Sequence, residues 1–94
     1  MFGLQLNYIT SESMEPTIMT GSRYIINKKV KYKDLKVGDM ISFRNGKRLI
    51  THRIVEKTEE GFKTKGDNAL TNKKVDPWIV RKGDYIGKVV LILC

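Results

Sequence analysis

Short stretches in which apolar and polar residues alternate, separated by turn residues, run through most of this chain. Within residues 39–44, Ile41 and Phe43 alternate with Ser42 and Arg44, which is the period-two pattern of a half-buried strand. Comparable stretches rich in β-branched and aromatic residues predict further strands. They cover residues 22–27, 48–57, 62–65 and 85–93.

The Asn45-Gly46 pair lies between two of these stretches and predicts a hairpin. Asn-Gly is a strong hairpin signal because both central positions of a type I′ turn need positive φ. Helical periodicity is weak throughout, and the best candidate is a short turn at residues 33–37. The pattern therefore predicts one all-β domain over residues 1–94, folded as a compact curled sheet or pseudo-barrel.

Composition limits the setting of this domain without identifying its function. With 40% hydrophobic and 30% charged residues, the chain resembles an ordinary globular domain. A formal charge of +8 favours anionic partners, either nucleic acid or an acidic membrane surface. The basic residues are scattered and aromatic residues make up only 9% of the chain, so a platform for stacking single-stranded bases is not evident. We therefore expect no nucleic-acid partner.

Apolar stretches in this chain are too short for a transmembrane segment. None approaches the roughly 18 residues that a spanning helix needs, and residues 1–9 are too short and too polar for a signal sequence. As given, the chain is expected to be soluble. Its single cysteine, Cys94, leaves no internal disulfide and no cysteine metal cluster, and we expect neither a cofactor nor a metal.

Four polar residues are of the types that nucleophilic catalysis needs. Ser13 precedes Met-Glu-Pro, the chain's one histidine is His52, and Asp67 and Asp76 lie in turn sequences. A serine nucleophile needs a neighbouring base, and the base is oriented by a carboxylate. Each residue taken singly also has a structural explanation. Ser13 and the aspartates suit turns, and His52, on a strand face with Ile50, suits a packed core.

Four motifs in order resemble the catalytic segments of type I signal peptidases. The first reads Ser-Glu-Ser-Met-Glu-Pro-Thr at residues 11–17, the second His-Arg-Ile-Val at 52–55, and the third Thr-Lys-Gly-Asp-Asn at 64–68. Tyr-Ile-Gly-Lys-Val at 85–89 is similar to the final strand of that family. The resemblance is to the branch found in archaea, the endoplasmic reticulum and some spore-forming bacteria.

This resemblance implies a serine endopeptidase that cleaves signal peptides after small residues. Ser13 would be the nucleophile and His52 the general base, while the Ser11 hydroxyl would help the Ser13 N–H hold the oxyanion. Asp76 would orient His52, with Asp67 as the alternative. The resemblance also implies preprotein substrates and a membrane-associated location on the extracytoplasmic face. Because the chain has no spanning segment of its own, we expect contact with the membrane through an anionic membrane surface, which the +8 charge favours, or through a membrane-anchored partner.

An extended peptide substrate is expected to bind as an added strand. The segments nearest the catalytic residues are 4–10 and 48–51. Ile9, Met14 and Ile50 are the expected apolar wall residues of the substrate site, and ordinary core packing is the alternative for each.

Three other interpretations compete with the peptidase. A self-cleaving repressor domain of the LexA type is similar in fold and serine motif, but it uses lysine as its base where this chain has His52. A catalytically inactive relative would keep the fold without turnover. A basic β-barrel that binds anionic lipid or nucleic acid agrees with the +8 charge, but it needs no ordered Ser, His and Asp motifs.

Overall fold

Six strands form one antiparallel sheet, which a computed structural model describes over residues 3–93. The expectations that concern Cys94 and residues 1–2 fall outside this range. The strands are β1 (Leu4–Tyr8), β2 (Arg23–Asn27), β3 (Met40–Asn45), β4 (Arg48–Lys57), β5 (Phe62–Lys65) and β6 (Tyr85–Leu93). Their order in the sheet is β1-β2-β6-β3-β4-β5, and all neighbours are antiparallel. The predicted all-β class is confirmed, as a curled open sheet.

Strand β1 is the element that the hydrophobic pattern does not predict. Its apolar side chains, Leu4, Leu6 and Tyr8, are 38%, 49% and 64% exposed, while Gln5 and Asn7 between them are half-buried. This is the reverse of the usual alternation, in which the apolar side chains face the core. The strand exists because its backbone pairs with β2 along its whole length. The other five strands lie within one residue of the predicted bounds.

The β3–β4 hairpin is present, but its turn lies one residue later than predicted. Asn45 pairs with Arg48, so the two loop residues are Gly46 and Lys47. Gly46 has a φ of 63°, and among residues 3–93 every positive φ belongs to a glycine. Glycine at the first loop position alone is the pattern of a type II′ turn. The expectation that Asn45 occupies the turn is wrong, because this residue still belongs to the β3 ladder.

The helical part of the described range is a single 3-10 helix at Tyr32–Asp34. It lies at the start of the region where the sequence predicts a short turn. Among residues 3–93, no helix has the length and apolar character needed to cross a bilayer.

The buried apolar residues form two clusters. The hairpin cluster lies around β3 and β4 and comprises Leu35, Ile41, Phe43, Ile50, Ile54, Phe62 and Val80. The loop cluster lies around β2 and the segment before it and comprises Ile9, Met14, Ile18, Tyr24, Ile26 and Val89. Irregular registers within the β2–β6, β3–β6 and β4–β5 pairs bend the strands, as β-bulges do. A cleft lies between the end of β1 and the first half of β4.

Candidate active site

Ser13 lies in the loop between β1 and β2, and this loop is anchored on the loop cluster. Met14 and Ile18 are both fully buried there, and the Ile18 N–H donates to the Met14 carbonyl at 2.9 Å. The ends of the loop are joined because the Gly21 N–H donates to the Ile9 carbonyl at 2.9 Å. Buried apolar side chains on a closed loop hold the half-buried Ser13 in a fixed place at the cleft.

The Gly66-Asp67-Asn68 turn braces the same loop from the other side. The Asn68 backbone N–H donates to the Ser13 carbonyl, and the Asn68 side-chain amide donates to the Glu12 carbonyl, both at 2.9 Å. A Cβ atom at Gly66 would lie 2.5 Å from the Ser13 carbonyl oxygen, so a larger residue would displace the loop. This turn therefore positions the backbone of Ser13.

His52 projects from the middle of β4 and bonds to Asp76. The His52 Nδ1 and Asp76 Oδ2 atoms are 2.6 Å apart, and the two residues are 6% and 9% exposed. The Phe43 ring contacts the imidazole edge-on, with ring centroids 6.5 Å apart. Among residues 3–93, Nε2 has no hydrogen-bond partner. With the proton of the neutral ring on Nδ1, facing the carboxylate, Nε2 is a free proton acceptor.

The Asp76 carboxylate accepts a second hydrogen bond from Thr64 in β5. The Thr64 hydroxyl donates to Asp76 Oδ2 at 2.7 Å, and the Asp76 N–H donates to the Thr64 carbonyl at 2.9 Å. Sequence reasoning did not identify Thr64 as a site residue. The available signal was its place on the buried face of β5, two residues after Phe62.

Ser13, His52 and Asp76 all line one cleft of about 550 Å³. Ser11 lines it too, and its hydroxyl oxygen lies 3.1 Å from that of Ser13 and accepts from the Ser13 N–H at 3.5 Å. The remaining lining residues are Tyr8, Ile9, Thr10, Tyr24, Arg48, Leu49, Ile50, Thr51, Asn72 and Trp78. The structure thus brings six of the eight predicted site residues together, which are Ile9, Ser11, Ser13, Ile50, His52 and Asp76.

Asp67, the alternative partner for the histidine, is occupied elsewhere. Its carboxylate accepts hydrogen bonds from Nε and Nη2 of Arg53 at 3.0 and 2.8 Å, and from the Thr17 hydroxyl at 2.6 Å. The Arg53 hydrogen bonds, and with them the Thr17 hydroxyl, hold the pKa of the Asp67 carboxyl below its usual value. Asp67 therefore ties the serine loop to β4 and does not bond to His52.

Two of the three expected wall residues, Ile9 and Ile50, line the cleft. Met14 does not, and the structure corrects this expectation. Its side chain is 0% exposed within the loop cluster, because it points inward where Ser13 points to the cleft. Sequence reasoning missed Trp78, which lines the cleft two residues after Asp76.

Comparison with known proteins gives a consistent result. A family described as signal peptidase, peptidase S26, matches residues 1–90. Signal peptidase I W of Bacillus subtilis is 42% identical over 73 residues, which are 72% of this chain and 38% of that protein. Inactive signal peptidase IA of Staphylococcus aureus (strain N315) is 42% identical over 50 residues, 52% of this chain and 29% of that protein. The chain therefore spans well under half the length of these curated relatives.

Proposed function

Because the chain belongs to the signal peptidase family, peptidase S26, we propose that it carries the catalytic site of a serine endopeptidase that removes signal peptides from preproteins after small residues. The observation that carries this proposal is the 2.6 Å hydrogen bond between His52 and Asp76 in a cleft that Ser13 also lines. A nucleophile, a base and an orienting carboxylate are the three parts that serine proteolysis needs.

In this proposal Ser13 attacks the scissile carbonyl carbon while His52 Nε2 takes the hydroxyl proton. A serine hydroxyl is a poor nucleophile until a neighbouring base accepts its proton. The Asp76 carboxylate stabilises the imidazolium that forms and fixes the ring orientation. His52 then gives the proton to the leaving amine, and water releases the acyl group from Ser13 by the same steps in reverse.

The negative oxygen of the tetrahedral intermediate would be held by the Ser13 N–H and the Ser11 hydroxyl. In the free structure the Ser13 N–H points to Ser11 Oγ at the long distance of 3.5 Å. A weak bond of this kind is easily exchanged for a stronger one to an oxyanion. Both donors lie beside Ser13 Oγ. A peptide whose carbonyl carbon is attacked by this atom would have its carbonyl oxygen close to them.

A peptide substrate would bind between two free strand edges. β1 is an outer strand of the sheet, paired with β2. β4 pairs with β5 only from Arg53 onward, so one edge of residues 48–52 is unpaired within the described part of the chain. These edges border the cleft, and an extended peptide can add to them by main-chain hydrogen bonds. Ile9 and Ile50 would form the apolar walls that accept small side chains.

We further propose that the domain works at an anionic membrane surface on the extracytoplasmic side, in keeping with its family. A second pocket, of about 540 Å³, is bordered by Lys28, Lys29, Lys31, Lys33 and Lys82 together with Val30, Tyr32 and Tyr85. Among residues 3–93, no aspartate or glutamate lines this pocket. Each lysine near an anionic bilayer adds about 1 kcal/mol of attraction, so this group, termed the lysine pocket, is the part of the surface best suited to that contact.

A catalytically inactive relative is the second candidate, favoured by the relative that is named inactive. Against it stands the His52–Asp76 hydrogen bond beside a half-buried Ser13, an arrangement that a protein without turnover does not need. A relative that bound preproteins without cleaving them would use the cleft but would have no need of His52 Nε2 as a proton acceptor.

The experiment that tests the proposal compares cleavage of a fluorogenic peptide with an Ala-x-Ala site by the native chain, Ser13→Ala and Ser22→Ala, with and without detergent. Ser22 is a matched control, since it lies outside the cleft. We expect Ser13→Ala to lower turnover by about 10³-fold or more and Ser22→Ala to leave it unchanged. Absence of turnover in all three folded proteins would favour the inactive relative.

A further inference from the structure

The contact between Thr64 and Asp76 has a role beyond packing. We propose that Thr64 is a positioning residue that orients the Asp76 carboxylate toward His52, an inference that rests on the proposed function. The Thr64 hydroxyl and the His52 ring bond to the same oxygen, Asp76 Oδ2, at 2.7 and 2.6 Å. One carboxylate oxygen is therefore fixed from two strands, β5 and β4.

Thr64 also determines where the backbone of Asp76 lies. Its carbonyl accepts the Asp76 N–H at 2.9 Å, although Asp76 belongs to the long irregular segment between β5 and β6. A second tie, between Phe62 and Val80, docks the same segment on β5 through two backbone bonds. Thr64 pairs with Ile54 of β4 in the sheet, and His52 lies on the same strand. The β4–β5 pairing therefore fixes the position of Asp76 relative to His52.

Burial strengthens the influence of the Thr64 hydroxyl on the Asp76 carboxylate. Thr64 is fully buried, so its hydroxyl has no bulk water as an alternative partner. A hydrogen bond to a carboxylate is stronger than one between neutral groups. Without it, the Asp76 side chain would be free to rotate about its terminal bond, and the imidazole, which shares the cleft with Ser13, would lose its fixed orientation.

The proposed role predicts an effect on turnover and not on substrate binding. Thr64 does not line the cleft and cannot contact a peptide there. Replacing it by valine, which has nearly the same shape but no hydroxyl, should lower kcat by about 10- to 100-fold, the range for losing one hydrogen bond to a charged group. KM should stay the same, and Thr64→Ser should restore most of kcat.

The experiment uses the full chain and has two readouts, peptide cleavage and proton NMR. His52 is the only histidine, so the downfield signal of its Nδ1–H is free of overlap. Thr58→Val is the matched control, since the Thr58 hydroxyl bonds to the Gly61 carbonyl at the far end of β5. We expect the signal to persist in Thr64→Ser and Thr58→Val, and to be lost or broadened in Thr64→Val and Asp76→Asn. Thr64→Ala serves in place of Thr64→Val if the latter does not fold.

The two readouts separate this inference from the proposed function. An unchanged kcat and an unchanged Nδ1–H signal in Thr64→Val would overturn it, as would an equal loss of kcat in Thr58→Val. If the native chain shows no turnover, the proposed function fails, and the NMR comparison alone still decides whether Thr64 orients the Asp76–His52 pair.

Discussion

Arg53 binds the Asp67 carboxylate through two nitrogen atoms, Nε at 3.0 Å and Nη2 at 2.8 Å. Arg53 directly follows His52 in β4, and successive side chains of a strand point to opposite faces. The arginine is thereby directed to Asp67 and the histidine to Asp76. Because of this alternation, Asp67 forms a structural ion pair with Arg53, and Asp76 is the partner of the imidazole.

The first prediction concerns the stability that Asp67 provides. Its pKa is lowered in the folded protein by Arg53 and Thr17, so the unfolded chain binds a proton more readily than the folded one. The stabilisation is therefore complete above about pH 4 and is lost as the pH falls through the lower folded-state pKa. We expect Asp67→Asn to reduce the free energy of unfolding by about 1 to 3 kcal/mol at neutral pH.

Urea unfolding measured near neutral pH and again in acid tests this expectation. The difference between Asp67→Asn and the native chain should shrink in acid. Asp34→Asn is the control, because Asp34 is exposed and forms no ion pair within residues 3–93. An Asp67→Asn variant as stable as the native chain at neutral pH would contradict the assigned role.

The second prediction ranks the two aspartates by their effect on catalysis. Asp76→Asn should lower kcat by about 10⁴-fold, as in other triads that lose the aspartate, because the amide favours the wrong tautomer of His52. Asp67→Asn should lower kcat much less than Asp76→Asn does, since Asp67 does not line the cleft and affects Ser13 only through the loop that it ties to β4. Steady-state cleavage by the two variants is the measurement, and the reverse ranking would reassign the orienting role to Asp67.

The third prediction concerns alkaline stability and Tyr85. Burial, together with the negative charge of Asp39, raises the pKa of Tyr85 to about 12, and its hydroxyl donates to the Val30 carbonyl at 2.6 Å. Since the folded protein holds this proton more tightly, the stabilisation is complete below about pH 10, the ordinary tyrosine value. It is lost as the pH rises from there toward 12.

The Tyr85→Phe variant tests the alkaline prediction. It lacks the titrating group, so its free energy of unfolding should decline less steeply over this range than that of the native chain. Tyr8→Phe, which alters an exposed ring, should follow the native chain. Parallel pH curves for Tyr85→Phe and the native protein would show that Tyr85 does not contribute.

The fourth prediction concerns the lysine pocket. Replacing Lys28, Lys31 and Lys33 by glutamate should abolish co-sedimentation with vesicles that contain phosphatidylglycerol, and binding to phosphatidylcholine vesicles should be weak in every case. Electrostatic attraction of this kind also weakens at high salt.

A second triple variant with the same change in charge controls for the effect of net charge. Its substituted residues are Lys36, Lys47 and Lys57, which are exposed and do not line the lysine pocket. The control should retain most of its vesicle binding. Equal loss in the two triple variants would mean that overall charge, and not this pocket, governs the attraction.

Strands β2 to β6 could be predicted because the alternation of apolar and polar residues that marks a strand lies within the strand's own sequence. Within β4, the buried face carries Ile50 and Ile54 as the alternation indicates. β1 could not be predicted, since its leucines face outward and only backbone pairing with β2 accounts for it. The position of the β3–β4 turn depends on which residues of the two strands pair, and the Asn45-Gly46 sequence does not fix that choice.

The sequence motifs predicted which residues would lie together, while the catalytic roles of these residues stay predictions. Ser13, His52 and Asp76 line one cleft, in agreement with the resemblance. The direction of Met14 was not predictable, because a loop side chain is turned inward or outward by the packing beneath it. The place of Thr64 on the buried face of β5 was visible in the sequence, but its contact with Asp76 was not, since that contact joins a strand to an irregular segment twelve residues away.

Within residues 3–93, one edge of β1 and one edge of residues 48–52 are unpaired, and under the proposed function this has a consequence for the range of substrates. Main-chain hydrogen bonds along a strand edge are the same for every peptide sequence. Discrimination is then left to the few side-chain positions that meet the walls of the cleft. If the proposed function is correct, the same groove would serve many preproteins, because it would bind a short extended stretch of small residues whatever the rest of the protein is.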